Sequence, residues 1–389
     1  MANIQKRGDG SYFLTVSLGK GADGKYIRRT KTVHCRTKKE AESEYAKFRQ
    51  EVEAGAYIAP EKKTFGAFVE EWRDKHATKQ LEASTIEAYA FQLRNHILPK
   101  IGHKKLSDIK SLHIVDLLDS VQKEGSRMDG REGGLSSTSA RFIHRILKDI
   151  FARAVEWRII QTNPVDTVKR PKVAQRESSV LDEEQAAKLF DALEKEPFLW
   201  RMLITLALTT GLRRGELLAL EWKHIDLQNG VLEVRQSLSH ANGKAIIKEP
   251  KTKTSARRVS LPASLTSELK LYYTHCRKER LALGDAWEGG DRFFLFSATN
   301  GKSLYHTVPG TWLRRFIKRH KLPQIRFHDL RHTSATLLIN QGVHAKTIAA
   351  RLGHADIRTT MNIYGHALQS ADQAAADKFD SLLSKRSNA

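Results

Sequence analysis

The chain has 389 residues, a hydrophobic content of 40% and a formal net charge of +22. Its length exceeds one ordinary core, so two or three domains are expected, and the basic excess points to a polyanionic partner, most often nucleic acid. Two distant cysteines, Cys35 and Cys276, exclude a disulfide framework or a zinc finger and fit a reducing cytoplasm; no apolar run approaches the roughly 18 residues that span a bilayer, and no apolar N-terminal segment reads as a signal peptide, so no membrane partner is expected.

Strand patterns come first. In "YFLTVSL" the alternation puts Tyr12, Leu14, Val16 and Leu18 on one face. After the turn chemistry of "GKGADGK", the stretch Tyr26–His34 is β-rich and basic. Thr37 with Glu40 predicts a capping box, followed by Ala41, Tyr45, Phe48 and Val52 at helical spacing. Between Lys20 and Lys39 eight lysines and arginines stand against a single acid, Asp23. A sheet with a basic strand face fits a DNA groove.

Four amphipathic helices follow. Phe65, Phe68, Val69 and Trp72 form a stripe behind Thr64. Ser84 with Glu87 predicts a second capping box ahead of Ile86, Tyr89, Leu93 and Ile97, a helix that Pro99 is expected to stop. Ile114, Leu117, Leu118 and Val121 repeat the stripe, as do Ile143, Ile146, Leu147, Ile150, Ala154 and Trp157. A small bundle is expected, with a long Gly-rich loop, "EGSRMDGREGGLSS", between the last two helices. Asn163–Ser179 is proline-bearing, basic and aperiodic, and reads as an interdomain linker.

The rest is mixed. Asp182 and Gln185 frame a helix start, with Leu181 and Ala186 as a hydrophobic staple. A buried helix is expected over Phe198–Thr209, broken at Gly211 and resumed over Arg213–Leu220. Short strands follow in "GVLEVRQSL", "KAIIK" and "ARRVSLP", and from Ser264 onward the chain reads as mostly helical. Beyond Tyr364, Ser370 is a cap for a tail helix carrying Ala374, Phe379, Leu382 and Leu383.

Within "FHDLRHTSATLLINQG", His328 and Arg331 share one face at the start of a helix. A helix N-terminus offers free N–H groups and a positive dipole end, and an arginine grips two phosphate oxygens at once. Alone, "HxxR" is weak, because a surface pair with no role is its commoner fate. Other stretches change the odds. "TTGLRRGELLAL" places Arg213 after a glycine break, with Glu216 one turn on to orient it. "PKTKTSARRVSLP" puts Lys251 and Lys253 in a turn between strands. "ARLGHADIRTTMNIYGHA" sets His354 after a glycine, and Tyr364 ten residues later.

Taken in order, "TGLRRGE", "KTKTSARR", "HDLRH", "LGH" and "IYGH" resemble the tyrosine recombinase family, the phage-type integrases. The resemblance spans Thr210–Tyr364 and is specific, because five motifs agree in order and spacing. It implies a multidomain fold, mainly α with small β-sheets: an N-terminal sheet-plus-helix arm-binding domain (1–60), a helical core-binding domain (61–165), a linker (166–178) and a mixed α+β catalytic domain (179–389). It also implies site-specific cutting and rejoining of DNA through a 3′-phosphotyrosyl intermediate. Tyr364 is the nucleophile by resemblance, Arg213 and Arg331 the arginines on the phosphate, Lys253 the general acid, His328 a proton acceptor near the tyrosine and His354 a donor to the phosphate. Lys251 competes with Lys253, which stands five residues before Arg258, and Arg214 competes with Arg213.

The chemistry is consistent with that set. In-line displacement at a phosphodiester needs a nucleophile, charge neutralisation on the non-bridging oxygens and a proton for the leaving oxygen. Protein cations do this work, so no cofactor and no metal are expected. Expected partners are double-stranded attachment-site DNA of core and arm type, a homo-tetramer on DNA, an excisionase and a host DNA-bending protein. Two other readings share parts of this pattern. A type IB topoisomerase uses a similar residue set but needs no basic N-terminal module. A non-catalytic DNA-binding regulator would not keep six competent residues.

Overall fold

The computed structural model describes residues 3–21, 24–54, 57, 63–174, 179–249, 256–358 and 360–361. The chain divides into two compact units, residues 1–175 and 176–389.

The first unit opens with an antiparallel sheet in the order β1 (Ile4–Gly8), β2 (Ser11–Lys20), β3 (Tyr26–His34). Helix α1 (Lys38–Glu53) packs Ala41, Phe48 and Val52 against Tyr12, Leu14 and Val16. The Thr37–Glu40 capping box starts it: the Thr37 hydroxyl accepts from Glu40 N at 3.2 Å, and Glu40 Oε2 accepts from Thr37 N at 3.4 Å. Leu18 does not join this face and is 46% exposed. The β2–β3 pairing loses register between Ser17 and Lys20, so the alternation ends before Leu18. Strand β1 carries no alternation that sequence reading used.

The helical part of this unit holds α2 (Phe65–Trp72), continued by a π turn (Arg73–Ala77) into α3 (Thr78–Gln80). Next come α4 (Ala83–Gln92), α5 (Leu98–Ile101), α6 (Ser111–Gln122) and α7 (Ser137–Glu156). All four stripes read from the sequence meet in one core, with Ile86 alone left outside it. Two details differ. The Ser84–Glu87 box does not form, because the chain turns into α4 at Glu82, whose carbonyl accepts from Thr85 N at 2.8 Å, and Ser84 already lies inside the first turn. Pro99 does not stop the helix either. A π turn (Leu93–Ile97) carries α4 into α5, where Pro99 occupies the first turn and needs no N–H. The aperiodic stretch after α7 is partly packed: Val165 is 1% exposed in the helical core, and α7 holds the chain through His144 on Val168 O (3.2 Å) and Arg141 on Pro171 O (3.0 Å).

The second unit is built on α9 (Phe198–Thr210), whose Met202, Leu203, Ile204, Leu206 and Leu208 are buried. Helix α8 (Glu183–Leu193) precedes it, started by the Asp182–Gln185 capping box. After α10 (Arg214–Leu218) come β4 (Ile225–Asp226), β5 (Val231–Val234), the hairpin β6 (Ser237–Ala241)–β7 (Lys244–Lys248) and β8 (Arg257–Ser260). The sheet order is β4-β5-β8. Helix α11 (Ala263–Leu283) then leads to an irregular stretch before α12 (Val308–Arg319), α13 (Asp329–Asn340) and α14 (Ala345–Leu352). The sequence reads as mostly helical from Ser264 onward, and this stretch is its irregular part. Its buried Phe294, Leu295 and Phe296 form no helical stripe and seal an edge through the bridge from Phe294 to Glu221. The expected tail helix after Tyr364 lies outside the described residues. Among the described residues no helix is long and apolar enough to cross a membrane.

Candidate active site

Two glycines place the site. Gly211 ends α9 at φ 63° and Gly353 ends α14 at φ 70°, both left-handed caps. Neither has room for a side chain: a Cβ on Gly211 would strike the Leu352 side chain, and one on Gly353 would lie 2.8 Å from Arg257 Nη1. The two helix C-termini are thereby brought together, and their outward carbonyls hold cations. Arg331 Nη1 donates to Gly211 O at 2.6 Å and Arg213 Nη2 to Gly353 O at 2.9 Å. Arg257 Nε donates to Arg351 O at 2.7 Å and Arg351 Nη2 to Thr209 O at 3.0 Å. Helix C-termini carry the negative end of the macrodipole, so they suit these guanidiniums.

One carboxylate serves the group. Glu216, buried on α10, accepts from Arg213 Nη1 at 2.8 Å and from Arg257 Nη2 at 2.9 Å, and its other bond is to Arg213 N at 3.0 Å. Burial pushes its carboxyl up, but Arg257 and Arg213 outweigh that and hold it below the usual range. Arg331, 3% exposed, has no carboxylate of its own, and its Nη2 has no hydrogen-bond partner among the described residues. Desolvation, then the charges of Arg213 and Arg257, pulls its guanidinium down to about 9, which leaves it charged at neutral pH. Four guanidiniums around one carboxylate make a site that favours an anion.

The histidines close the site. His328 is the N-cap residue of α13, and its ring meets His332 edge-on at 5.0 Å. Desolvation, His332 and Arg331 lower its pKa, so it is neutral and able to take a proton. The α13 start is fixed by buried Asp329, which accepts from the Arg326 guanidinium at 2.9 and 3.0 Å and from Arg326 N at 2.7 Å. His354 follows Gly353, and its Nδ1 lies 2.8 Å from the Thr360 hydroxyl. Desolvation and then Arg331 and Arg213 lower it to about 4.

Of the residues singled out from sequence, Arg213, His328, Arg331 and His354 are brought together, while Lys251, Lys253 and Tyr364 lie outside the described residues. Arg213 and not Arg214 enters the cluster; Arg214 is exposed, with its charge felt by His240 instead. Sequence reasoning missed Arg257, Arg351 and Thr360. Arg257 was findable: on β8 it shares a face with buried Val259, whereas Arg258 faces outward to Glu233 at 3.5 Å.

Comparison with known proteins shows the family of the chain. Residues 179–371 match the Phage integrase family, and residues 64–121 match the phage integrase N-terminal SAM-like domain. The ICEBs1 integrase of Bacillus subtilis is 32% identical over 74% of this chain and 72% of that protein. A tyrosine recombinase XerC-like protein of Caldanaerobacter subterraneus subsp. tengcongensis is 28% identical over 98% of both. The fold is similar to that of the Tn1549 transposon integrase, solved in complex with a circular intermediate DNA, with TM-score 0.66 and 21% identity over 82% of this chain and 100% of that one.

Removing the shared carboxylate should cost most. Glu216→Ala leaves buried guanidiniums without their counter-charge and should destabilise the second unit by roughly 3–5 kcal/mol. The sign with pH follows: a lowered carboxylate contributes stability above its unfolded value of about 4.3, lost as pH falls through the folded value. Thermal melting of the full chain should therefore show a large deficit for Glu216→Ala at pH 7 that narrows below pH ~4. Equal melting of parent and variant at pH 7 would show that Glu216 does not hold the cluster.

Proposed function

Because the chain belongs to the phage integrase family of tyrosine recombinases, we propose that its arginine cluster holds the scissile phosphate of DNA while Tyr364 attacks it. The protein is a site-specific DNA recombinase of mobile elements. The observation that carries the site assignment is the buried Arg331 with its unpartnered Nη2 among four guanidiniums.

In the proposed reaction Arg213 and Arg331 donate to the non-bridging oxygens, and the neutral His354 adds a third donor. A phenol of pKa about 10 is nearly all protonated at pH 7, so it needs a proton acceptor; the neutral His328 fills that role. The Tyr364 oxygen bonds to phosphorus as the bond to the 5′-oxygen breaks, and Lys253 protonates that oxygen, with Lys251 as its rival. The 3′-phosphotyrosine keeps the phosphodiester energy, so a 5′-hydroxyl from another strand reverses the step without ATP. Exchange between two duplexes requires four strand cuts with one tyrosine each, which supports a tetramer on two attachment sites. The apolar tail beyond Tyr364 is too short to be stable alone and would dock on a neighbouring protomer.

The remaining assignments belong to the same reading. Residues 61–165 bind the core site and residues 179–389 carry the catalysis, with 166–178 as the linker. Residues 1–60 bind a separate arm-type site through the basic strand β3, with Arg28, Arg29 and Lys31 among the contacts. Direction is set by an excisionase and a DNA-bending host protein, and the reaction takes place in the cytoplasm.

Three outcomes are expected. On nicked attachment-site DNA, Tyr364→Phe should bind normally and give no covalent adduct on a denaturing gel; a Tyr364→Phe protein that still forms one moves the nucleophile elsewhere. Arg331→Ala should lower single-turnover cleavage by about 10²–10³, the usual value of one charge-stabilising donor, with a smaller loss of binding. Near-parental cleavage would remove Arg331 from the phosphate. A chain lacking residues 1–61 should cut a core site but fail to recombine full attachment sites, and full recombination by it would make the first domain dispensable.

A further inference from the structure

Beside the four assembled residues sits Thr360. It was read from sequence only as part of "RTTMNIY", yet it is fully buried, at 0% exposure, and its hydroxyl lies 2.8 Å from Nδ1 of His354. A buried hydroxyl needs an acceptor for its proton. Thr360 makes no other hydrogen bond among the described residues. If Nδ1–H of His354 donated to Oγ1, the hydroxyl proton would be buried with no acceptor among the described residues. If the hydroxyl donates to Nδ1, its proton has an acceptor. The second arrangement puts the single proton of the neutral ring on Nε2.

We propose that Thr360 is a positioning residue: its hydroxyl donates to Nδ1 of His354, fixes the tautomer that presents Nε2–H to the scissile phosphate, and ties the chain four residues ahead of Tyr364 to the arginine cluster. The inference rests on the reading of His354 as a phosphate donor. His354 itself is held on the other side by its main chain, with His354 N on Ala349 O at 3.0 Å, so the ring has a fixed root and, among the described residues, one side-chain hydrogen-bond partner. The cluster around it supplies nothing else for Nδ1: Arg213, Arg257 and Arg331 are donors only and are engaged with carbonyls or Glu216. One hydrogen bond thus links two requirements of the reaction. The segment leading to the nucleophile must be seated before the histidine is set to donate, and a segment that is not seated leaves the ring free to take the other tautomer. Cleavage is thereby coupled to delivery of the tyrosine through the chemistry of a single side chain.

The test is a double-mutant cycle in single-turnover cleavage of nicked attachment-site DNA by the full chain, with DNA affinity and melting temperature measured for each protein. Thr360→Val keeps the shape and removes the donor; Thr360→Ser keeps the donor. Thr360→Val should slow cleavage ten- to a hundredfold with affinity unchanged, and Thr360→Ser should stay within a few-fold of the parent. In a His354→Ala background, Thr360→Val should cost nothing further, because its partner is gone. Additive losses, or Thr360→Ser as slow as Thr360→Val at equal melting temperature, would show that Thr360 only packs, and overturn the inference. Full activity of Thr360→Val beside a slow His354→Ala would overturn it too, while sparing the reading of His354. A His354→Ala protein that cleaves like the parent would overturn that reading first.

Discussion

A buried carboxylate shared by two guanidiniums is the constraint on which the second unit turns. Glu216 joins Arg213 on its own helix to Arg257 on strand β8, and through them the ends of α9 and α14. Burying several arginines together is costly unless each is paired and hydrogen-bonded. Here one acid and four carbonyls from two helix C-termini meet that need in part. The part left over is a positive excess, concentrated on Arg331, which a phosphate would neutralise. Binding energy and catalytic charge stabilisation would then come from the same groups, placed before the substrate arrives.

The same logic explains the glycines. A left-handed cap directs a helix's last carbonyls sideways instead of along the axis. Gly211 and Gly353 do this at two helix ends that touch, so the carbonyls converge on one spot. A side chain at either position would push the helices apart and scatter the arginines. The short sequence words "TGLR" and "LGH" therefore encode a backbone geometry as much as a set of reactive groups.

Much of this was legible in the sequence. The stripes of α2, α6 and α7 and the boxes at Thr37 and Asp182 are local patterns that their helices satisfy. The pairing of Arg213 with Glu216 is local as well. What sequence did not reveal depends on contacts distant along the chain. Arg257 reaches Glu216 from another element, Arg351 reaches the end of α9, and Thr360 meets His354 across a turn. The π turn that carries α4 into α5 is invisible for a related reason, since an extra residue in a helical turn leaves the apolar stripe nearly intact. Packing of Val165 was hidden because two valines, Val165 and Val168, among prolines and basic residues are too few to set a period.

The central claim is that the arginine cluster is the seat of the scissile phosphate. Its most direct test is a crystal structure of the full chain on a duplex core site with the cleavage position intact. The account predicts a non-bridging oxygen of that phosphate within hydrogen-bond reach, roughly 2.7–2.9 Å, of Arg331 Nη2, with Arg213 and His354 Nε2 on the same phosphate. A scissile phosphate held by other side chains, with Arg331 Nη2 still facing protein alone, would contradict it.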